Sequence, residues 1–268
     1  MSLIKTQNDM AVAATPPYGP LIQRGEFISG GVSGIVERLP SGDVIKSPWN
    51  NHSGHLCRQE LALERRIYER LGHHPRLVKT ISWDSQQYAL TMEYMSNGSL
   101  KDYLAQNKDI PTLQRLRWAE EASEGLQLLH SADIIHCDVA PKNFLLDAHL
   151  ALKIADFGGS SLDSSTPSAC GSVRFTVADF SRSNPPTIAE DLYALGSTIY
   201  FIMTSRYPYE ELDSNEVRDR YKGQVFPDVT GISCGEIILR CWRSQVSSAQ
   251  EVREFIRGVL AGSHPNGP

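Results

Sequence analysis

Three polar side chains stand close together in the stretch IIHCDVAPKNFLL, residues 134–146. Asp138 follows His136 by two positions, and Asn143 follows Asp138 by five. A further acid, Asp156, comes after a short apolar run in the segment KIADFGG. Amide and carboxylate oxygens suit Mg²⁺, which proteins hold with few side chains together with phosphate oxygens. These residue types therefore indicate a magnesium site beside a phosphate.

A glycine-rich stretch nearer the N-terminus offers a second contact for phosphate. In SGGVSGIV, residues 29–36, three glycines between two predicted strands let backbone N–H groups approach a phosphate. Lys46, in the strand VIK, could reach phosphate oxygens as a point charge, and Glu64 follows on an amphipathic helix. Each feature alone has a simpler interpretation: a plain hairpin, a solvated lysine, and an exposed partner for Arg65 or Arg66.

The elements that must position these residues divide the chain into two parts. Strand patterns with glycine turns fill the first part, which also contains one amphipathic helix, CRQELALERRIYERL. Helical patterns dominate the second part, and two short strands flank the stretch with Asp138. The predicted divisions are a flexible lead-in at 1–20, a first part at 21–95, a second part at 96–260 and a flexible tail at 261–268.

The bulk composition narrows the class of protein. The 268 residues are 41% hydrophobic and 21% charged, which is ordinary for a soluble globular protein. A net charge of -5 argues against a protein held to nucleic acid by bulk charge. The 5 cysteines are odd in number and form no C-x-x-C pair, which favours a reduced compartment. Since no signal peptide or membrane span is visible, we expect the cytoplasm or nucleus and no membrane partner.

Taken in order, the glycine loop, strand lysine, helix glutamate, H-x-D-x-x-x-x-N and D-F-G resemble the eukaryotic protein kinase family. The resemblance covers roughly residues 25–260. It implies an α+β, bilobal fold, in which a small antiparallel sheet with one helix sits over a larger, mostly helical lobe. It also implies an enzyme that uses ATP and Mg²⁺ to phosphorylate hydroxyl groups of a protein substrate. The resemblance does not indicate an oligomeric state.

The resemblance also implies a role for individual residues. Asp138 is expected to orient the acceptor hydroxyl and take its proton, and Lys142 to steady the transferring phosphoryl group. Lys46, paired with Glu64, is expected to hold the ATP phosphates. The expected magnesium ligands are Asn143 and Asp156. The residues expected to contact the nucleotide are Ile28, Ser29, Gly30, Gly31, Gly34, Val36, Val44, Lys46, Met92, Glu93, Met95 and Leu145. Of these, Glu93 and Met95 are expected to bond the adenine edge through their backbone.

Two further expectations concern support for the site. Asp191, in DLYALG, resembles the buried acid that anchors the catalytic loop in the family. His136 is expected to pack under Phe157 as a link between the lobes.

The chain departs from the family pattern at several positions. Ser29 replaces the first loop glycine, and Cys137 replaces the arginine that precedes the catalytic aspartate. That arginine normally pairs with a phosphate, which needs a cationic fork that a cysteine cannot supply. We therefore expect activity without activation-loop phosphorylation; a redox-sensitive Cys137 is the alternative. The A-P-E stretch becomes Val177–Asp179, and its usual arginine partner becomes Ala249, so both halves of that pair have changed.

The acceptor residue has mixed indications. Lys142, four positions after Asp138, and VRF at 173–175 resemble tyrosine kinases. Gly171 and Ser172 instead resemble the pair found in serine/threonine enzymes. The abundance of serine/threonine kinases within the family favours that specificity, and tyrosine or dual specificity remains the alternative.

Three other interpretations compete with an active protein kinase. A pseudokinase would bind nucleotide without turnover, although every chemical group is present. A small-molecule phosphotransferase shares the H-x-D-x-x-x-x-N pattern but usually lacks the D-F-G glycine. Zinc binding by His52, His55 and Cys57 is the third, and a solvated loop is the simpler interpretation because no fourth ligand is apparent.

Overall fold

The computed structural model describes residues 23–31, 33–49, 54–181 and 184–262. The predicted lead-in at 1–20 lies outside these ranges. So does most of the predicted tail, although the last helix extends to Gly262 and so includes its first two residues. Among the described residues, no helix combines the length and apolar character that a membrane span requires.

The first part of the chain forms a five-stranded antiparallel sheet with one helix. The strands are β1 (Glu26–Gly31), β2 (Gly34–Arg38), β3 (Val44–Ser47), β4 (Thr80–Asp84) and β5 (Ala89–Met92), in the order β1-β2-β3-β5-β4. Helix α1 (Gly54–Leu71) connects β3 to β4. It starts three residues before the predicted helix, so His55 and Cys57 lie on α1 rather than in a loop. The predicted strand YALTMEYM is shorter in the structure, since β5 ends at Met92.

The second part is mainly helical. Its helices are α2 (Leu100–Gln106), α3 (Thr112–His130), α4 (Ile188–Thr204), α5 (Ser214–Lys222), α6 (Gly235–Trp242) and α7 (Ala249–Gly262). Two short antiparallel pairs join β6 (Ile134–Ile135) to β9 (Ser161–Leu162), and β7 (Phe144–Leu146) to β8 (Leu152–Ile154). The α+β, bilobal arrangement expected from the sequence is confirmed. Strand β4 and helix α5 are elements that the pattern of the sequence did not predict.

Helix α3 is the centre of the larger lobe. Its Trp118 and Leu126 are fully buried, and α3 packs against α4 and α7. Gly125 brings α3 close to β8, because a Cβ there would lie 3.1 Å from the Ile154 side chain. Trp242, at the end of α6, donates from its indole nitrogen to the Ser197 hydroxyl at 2.9 Å. This core holds the loop between β6 and β7 against a rigid support.

Candidate active site

Lys46 forms ion pairs with one carboxylate from each lobe. Its Nζ lies 2.7 Å from Glu64 Oε2 and 2.6 Å from Asp156 Oδ1. Lys46 is on β3, in register with Val36 of β2, whereas Glu64 is on α1. Glu64 is 1% exposed and Lys46 is 7% exposed. The simpler interpretations, a solvated lysine and an exposed glutamate, are therefore wrong.

Burial and neighbouring charges shift the pKa values of Lys46, Glu64 and Asp156. Burial opposes the charged form of Lys46, but the carboxylates of Asp156 and Glu64 outweigh it and raise the pKa of Lys46 above its ordinary value. Burial raises the pKa of Glu64 even beside Lys46. The positive charge of Lys46 lowers the pKa of Asp156. Lys46 therefore carries its charge at neutral pH, in a position to meet an anion entering between the lobes.

The loop that carries Asp138 is anchored by the buried Asp191 of α4. Asp191 Oδ2 accepts the His136 N–H at 2.8 Å, and Oδ1 accepts the Cys137 N–H at 2.9 Å. His130 Nε2 lies 3.0 Å from the same carboxylate. Cys137 has a φ of 66°, a left-handed backbone conformation that is costly for any residue with a Cβ. The expectation that Asp191 anchors the loop is confirmed.

Asp138, Lys142 and Asn143 come together within this loop. Lys142 Nζ lies 2.8 Å from Asp138 Oδ2. Asn143 Nδ2 donates to the Asp138 carbonyl oxygen at 2.7 Å and to Oδ2 at 3.1 Å. A 3₁₀ turn, Pro141–Asn143, folds the chain back so that these contacts form. The result is a carboxylate held by an amide and an ammonium group.

Asn143 and Asp156 have the oxygen atoms that a magnesium ion requires. The Asn143 amide nitrogen is used by Asp138, which leaves Oδ1 as the acceptor that can face a metal. Asp156 uses Oδ1 for Lys46, and its side chain remains 43% exposed. Among the described residues, no three His, Cys, Asp or Glu side chains cluster to hold a metal alone. This donor set fits Mg²⁺ bound by two side chains together with phosphate oxygens.

Three aromatic rings connect the smaller lobe to the catalytic loop. The Phe157 and Tyr68 ring centroids are 5.0 Å apart, and those of Phe157 and His136 are 5.7 Å apart, both edge to face. His136 Nδ1 accepts the Asp138 N–H, so its Nε2 carries the proton and donates to the Ala155 carbonyl at 3.1 Å. The prediction that His136 packs under Phe157 is confirmed. This column ties the position of α1 to that of Asp138.

The glycine loop is constrained by the chain itself as well as by any ligand. Gly34 has a φ of 140°, and a Cβ there would lie 2.3 Å from the Ser47 carbonyl oxygen, so this turn requires glycine. At Gly30 a Cβ would lie 2.7 Å from the Trp49 ring. Trp49 Nε1 also donates to the Gly31 carbonyl oxygen at 2.8 Å. The sequence reading missed Trp49, which follows β3 in SPWNN without any motif to mark it.

The residues expected to contact adenine come from both lobes and from the connection between them. Val44, Met92 and Met95 are buried, whereas Val36 and Leu145 are partly buried. Ile28 and Ser29, by contrast, lie on the exposed strand β1. The Glu93 N–H is taken by the Lys79 carbonyl at 2.9 Å. In the described part of the chain, no hydrogen bond uses the Glu93 carbonyl or the Met95 N–H. These two backbone groups remain open for the edge of a ligand.

Cys137 has no cation among the causes that shift the pKa of its thiol in the described part of the chain. Burial, followed by the negative charge of Asp191, raises the pKa of the Cys137 thiol to about 12. The adjacent cavity is lined by Phe175, Phe180, Glu190 and other residues, none of them Lys or Arg in the described part of the chain. A buried thiol of this kind is a poor nucleophile. Among the described residues, none that lines this cavity could pair with a phosphate through a guanidinium group.

The possible zinc ligands separate in the structure. His52 lies outside the described residues. His55 is exposed on α1, and Cys57 is 1% exposed within the same helix. The histidine and the cysteine therefore face different environments, and the alternative of a metal-binding loop gains no support from them.

Two lobes joined by the ion pair of Lys46 with Asp156, over a loop anchored by a buried acid, define the bilobal kinase class. The family model of the protein kinase domain matches residues 42–265. The chain belongs to the protein kinase family.

Curated relatives of several specificities resemble this chain. It is 29% identical over 241 residues to a dual specificity protein kinase of Dictyostelium discoideum, covering 83% of this chain and 18% of the relative. It is 34% identical over 217 residues to a probable LRR receptor-like serine/threonine-protein kinase of Arabidopsis thaliana, covering 75% of this chain and 22% of the relative. It is 28% identical over 232 residues to a tyrosine-protein kinase of Girardia tigrina, covering 75% and 46%. The chain thus spans less than half the length of these three relatives.

Proposed function

We propose that this chain is an ATP- and Mg²⁺-dependent protein kinase that transfers the γ-phosphoryl group to serine or threonine hydroxyls of a protein substrate. The observation that carries the proposal is the joining of Lys46 to both Glu64 and Asp156, from opposite lobes. A lysine held in this way is positioned and charged before a nucleotide enters, and phosphoryl transfer depends mostly on positioning and charge stabilisation.

The residues divide the work of the reaction. Lys46 binds phosphate oxygens, and the open backbone groups of Glu93 and Met95 orient the base. Asn143 and Asp156 are the magnesium ligands, and bound Mg²⁺ would offset negative charge on the phosphates. Asp138 accepts the hydrogen bond of the incoming hydroxyl and then its proton. Lys142, 2.8 Å from Asp138, stabilises negative charge on the transferring group.

A groove beside Asp138 suits a protein acceptor. It is lined by Lys142, Lys101, Ser172, Arg174, Glu210 and neighbouring residues. The Thr176 hydroxyl is within hydrogen-bond distance of the Ser172 and Gly171 carbonyl oxygens, at 2.8 Å and 3.0 Å, which fixes the turn that contains Ser172. An open, charged groove accommodates an extended peptide better than a small alcohol, which favours a protein substrate over a small-molecule phosphotransferase.

Serine/threonine specificity is the finer part of the proposal. Gly171 and Ser172 support it, as does the name of the Arabidopsis relative. Dual or tyrosine specificity is the second candidate, because Lys142 stands four positions after Asp138 and two relatives carry those names. The proposal places the reaction in the cytoplasm or nucleus.

A peptide-library assay with Mg²⁺ and ATP, followed by identification of the phosphorylated residue, tests the proposal. We expect phosphoserine and phosphothreonine, and a loss of about 10²–10⁴-fold in turnover for Asp138→Ala, because the proton acceptor is removed. The matched control is Asp133→Ala on the nearby exposed turn. Nucleotide binding without turnover would establish a pseudokinase, and phosphate on a small alcohol but never on peptide would establish the small-molecule alternative.

A further inference from the structure

Ser168 lies where the activation segment, residues 156–179, folds back onto α1. Its hydroxyl donates to Glu60 Oε1 at 2.7 Å. Glu60 is one helical turn before Glu64 on α1, so the two carboxylates share a helix face. Ser168 itself is exposed, so a modifying enzyme can reach its hydroxyl once the part-buried hydrogen bond to Glu60 opens.

The Glu60 carboxylate has little freedom to move away from Ser168. The residue is 8% exposed, and its second oxygen, Oε2, is buried without a hydrogen-bond partner. Gly158 packs directly beneath it, since a Cβ on Gly158 would lie 3.1 Å from the Glu60 Cβ. This carboxylate is therefore fixed, partly unsatisfied and aimed at the activation segment.

Ser168 has equally little room on its own side. The next residue, Ala169, donates its N–H to the Gly159 carbonyl at 3.1 Å. A Cβ on Gly159 would lie 2.3 Å from the Ala169 Cβ, so the two backbones are in close contact. Moving Ser168 away from Glu60 would therefore disturb the segment that follows Asp156.

We propose that Ser168 is an inhibitory phosphorylation site, at which a phosphate repels Glu60 and separates α1 from the activation segment. In the modifying step, Ser168 Oγ forms a bond to the γ-phosphorus of ATP on a second protein kinase molecule. The bond from that phosphorus to the bridging oxygen breaks, ADP leaves with the electron pair, and the serine proton passes to the base of that kinase. The ester oxygen can no longer donate to Glu60.

In the described part of the chain, no Lys or Arg lies one turn before or after Glu60 on its face of α1, so the introduced charge would meet no cation there. A phosphate carries about -1.5 to -2 charges at neutral pH. Lys46, beside Glu64, is already shared by two carboxylates. Arg65 and Arg70 of α1 are paired with Glu69 and Asp163. Repulsion can then be relieved in two ways: α1 turns and breaks the Lys46–Glu64 pair, or residues 167–169 lift away from Gly159. Both lower turnover.

This proposal rests on the proposed kinase activity, and the test keeps the two apart. Phosphoserine is encoded at position 168, or at the exposed Ser164 as the matched control, and peptide phosphorylation is measured with Mg²⁺ and ATP. Phosphoserine at 168 is expected to lower kcat/KM by at least about tenfold, and at 164 by less than about twofold. Glu60→Gln is expected to restore most of the activity of the chain phosphorylated at 168, because it removes the opposing charge.

Each outcome has a defined meaning. Equal or higher activity with phosphoserine at 168 overturns the proposal, as does a failure of Glu60→Gln to restore activity. If the modified chain does not fold, judged by its melting curve, Ser168→Asp with and without Glu60→Gln makes the same comparison. If the unmodified chain has no turnover, the kinase proposal fails instead. In that case the effect of phosphoserine at 168 is measured as a change in Mg²⁺-ATP affinity by calorimetry. Only the modification at 168 is expected to weaken binding. An unchanged affinity overturns the proposal of an inhibitory site.

Discussion

Trp49 shows how one residue outside any motif can position the glycine loop. All of β1 is exposed, so the strand has little packing of its own. The Trp49 ring lies against Gly30, and its indole N–H is bonded to the Gly31 carbonyl oxygen at 2.8 Å. Trp49 therefore holds the glycine loop against the segment that follows β3.

Trp49→Ala is expected to raise the KM for ATP by about fivefold, because one hydrogen bond and its packing contribute roughly 1 kcal/mol to loop position. The value of kcat should change less, since Asp138 is untouched. Steady-state kinetics at varied ATP concentration measure both. Trp49→Phe is the matched control, because it keeps a ring but not the hydrogen bond. Its KM for ATP should lie between those of the unaltered chain and Trp49→Ala. An unchanged KM in Trp49→Ala would mean that β1 holds itself in place.

Cys137 is expected to resist alkylation in the folded protein. With the pKa of its thiol at about 12, the thiolate fraction at pH 8 is on the order of 1 in 10,000. Iodoacetamide labelling followed by peptide mass spectrometry should show Cys137 modified slowly in the native chain and rapidly in urea. The buried Cys241 is an internal reference for slow labelling. Native labelling of Cys137 as fast as in urea would favour the redox-sensitive alternative.

At the scale of elements, α1 is held in place by contacts that contain no phosphate. Lys46 binds Glu64, Tyr68 packs on Phe157, and Arg70 donates to Asp163 Oδ2 at 2.8 Å. In many kinases a phosphate on the activation segment stabilises the catalytic arrangement through the arginine that Cys137 replaces here. The unmodified chain thus has its own means of keeping Glu64 beside Lys46.

Simultaneous replacement of Ser164, Ser165, Thr166 and Ser168 by alanine should leave kcat/KM within about threefold of the unaltered chain. The hydrogen bonds from Ser168 to Glu60 and from the Leu162 N–H to Ser165 Oγ are lost, and each contributes only about 1 kcal/mol. Kinetics on protein that has not been treated with a phosphatase measure this, with Asp138→Ala as the inactive reference. A loss beyond tenfold would show that one of these hydroxyls must be phosphorylated for activity.

Asp191→Ala is expected to lower both stability and turnover. Two backbone N–H groups, at His136 and Cys137, would lose their acceptor, and each unsatisfied buried group costs about 1–3 kcal/mol. Urea denaturation should therefore show a loss of roughly 2–5 kcal/mol in the free energy of unfolding. Asp191→Asn keeps one carbonyl oxygen and should lose less. An alanine variant of wild-type stability would mean that the catalytic loop is held by other contacts.

The sequence predicted the elements better than the contacts between them. Periodicity placed α3, α4 and α7 within a few residues, because an amphipathic pattern is local. That Lys46 and Asp156, 110 positions apart, belong to one site followed only from the family resemblance, and their direct ion pair was not predicted. Contacts particular to this chain, such as Trp49 on Gly30 and Ser168 on Glu60, had no sequence signal. They depend on how finished elements pack, which no local pattern contains.

For the molecule as a whole, Lys46 links the position of the two lobes to the binding of a ligand between them. It is on the sheet of the smaller lobe, while Asp156 follows β8 of the larger one. A nucleotide that binds between the lobes would add to this connection. Its binding energy would then appear as resistance of the whole protein to unfolding.

Mg²⁺-ATP is expected to raise the melting temperature of the chain. A ligand at 100 times its Kd stabilises the folded state by about 2.7 kcal/mol. Lys46→Met should melt lower by itself, because Glu64 is left buried without its partner, and should show a smaller shift on adding Mg²⁺-ATP. Differential scanning calorimetry with and without a chelator makes the measurement. An equal shift in both proteins would place the nucleotide away from Lys46.

The hydrogen bond between Ser168 and Glu60 has a consequence for how such an enzyme would be governed. If the unphosphorylated form is the active form, then adding phosphate inactivates the enzyme and removing phosphate restores its activity. A phosphatase would then be its activator, and output would follow the amount of protein made until an opposing kinase intervened.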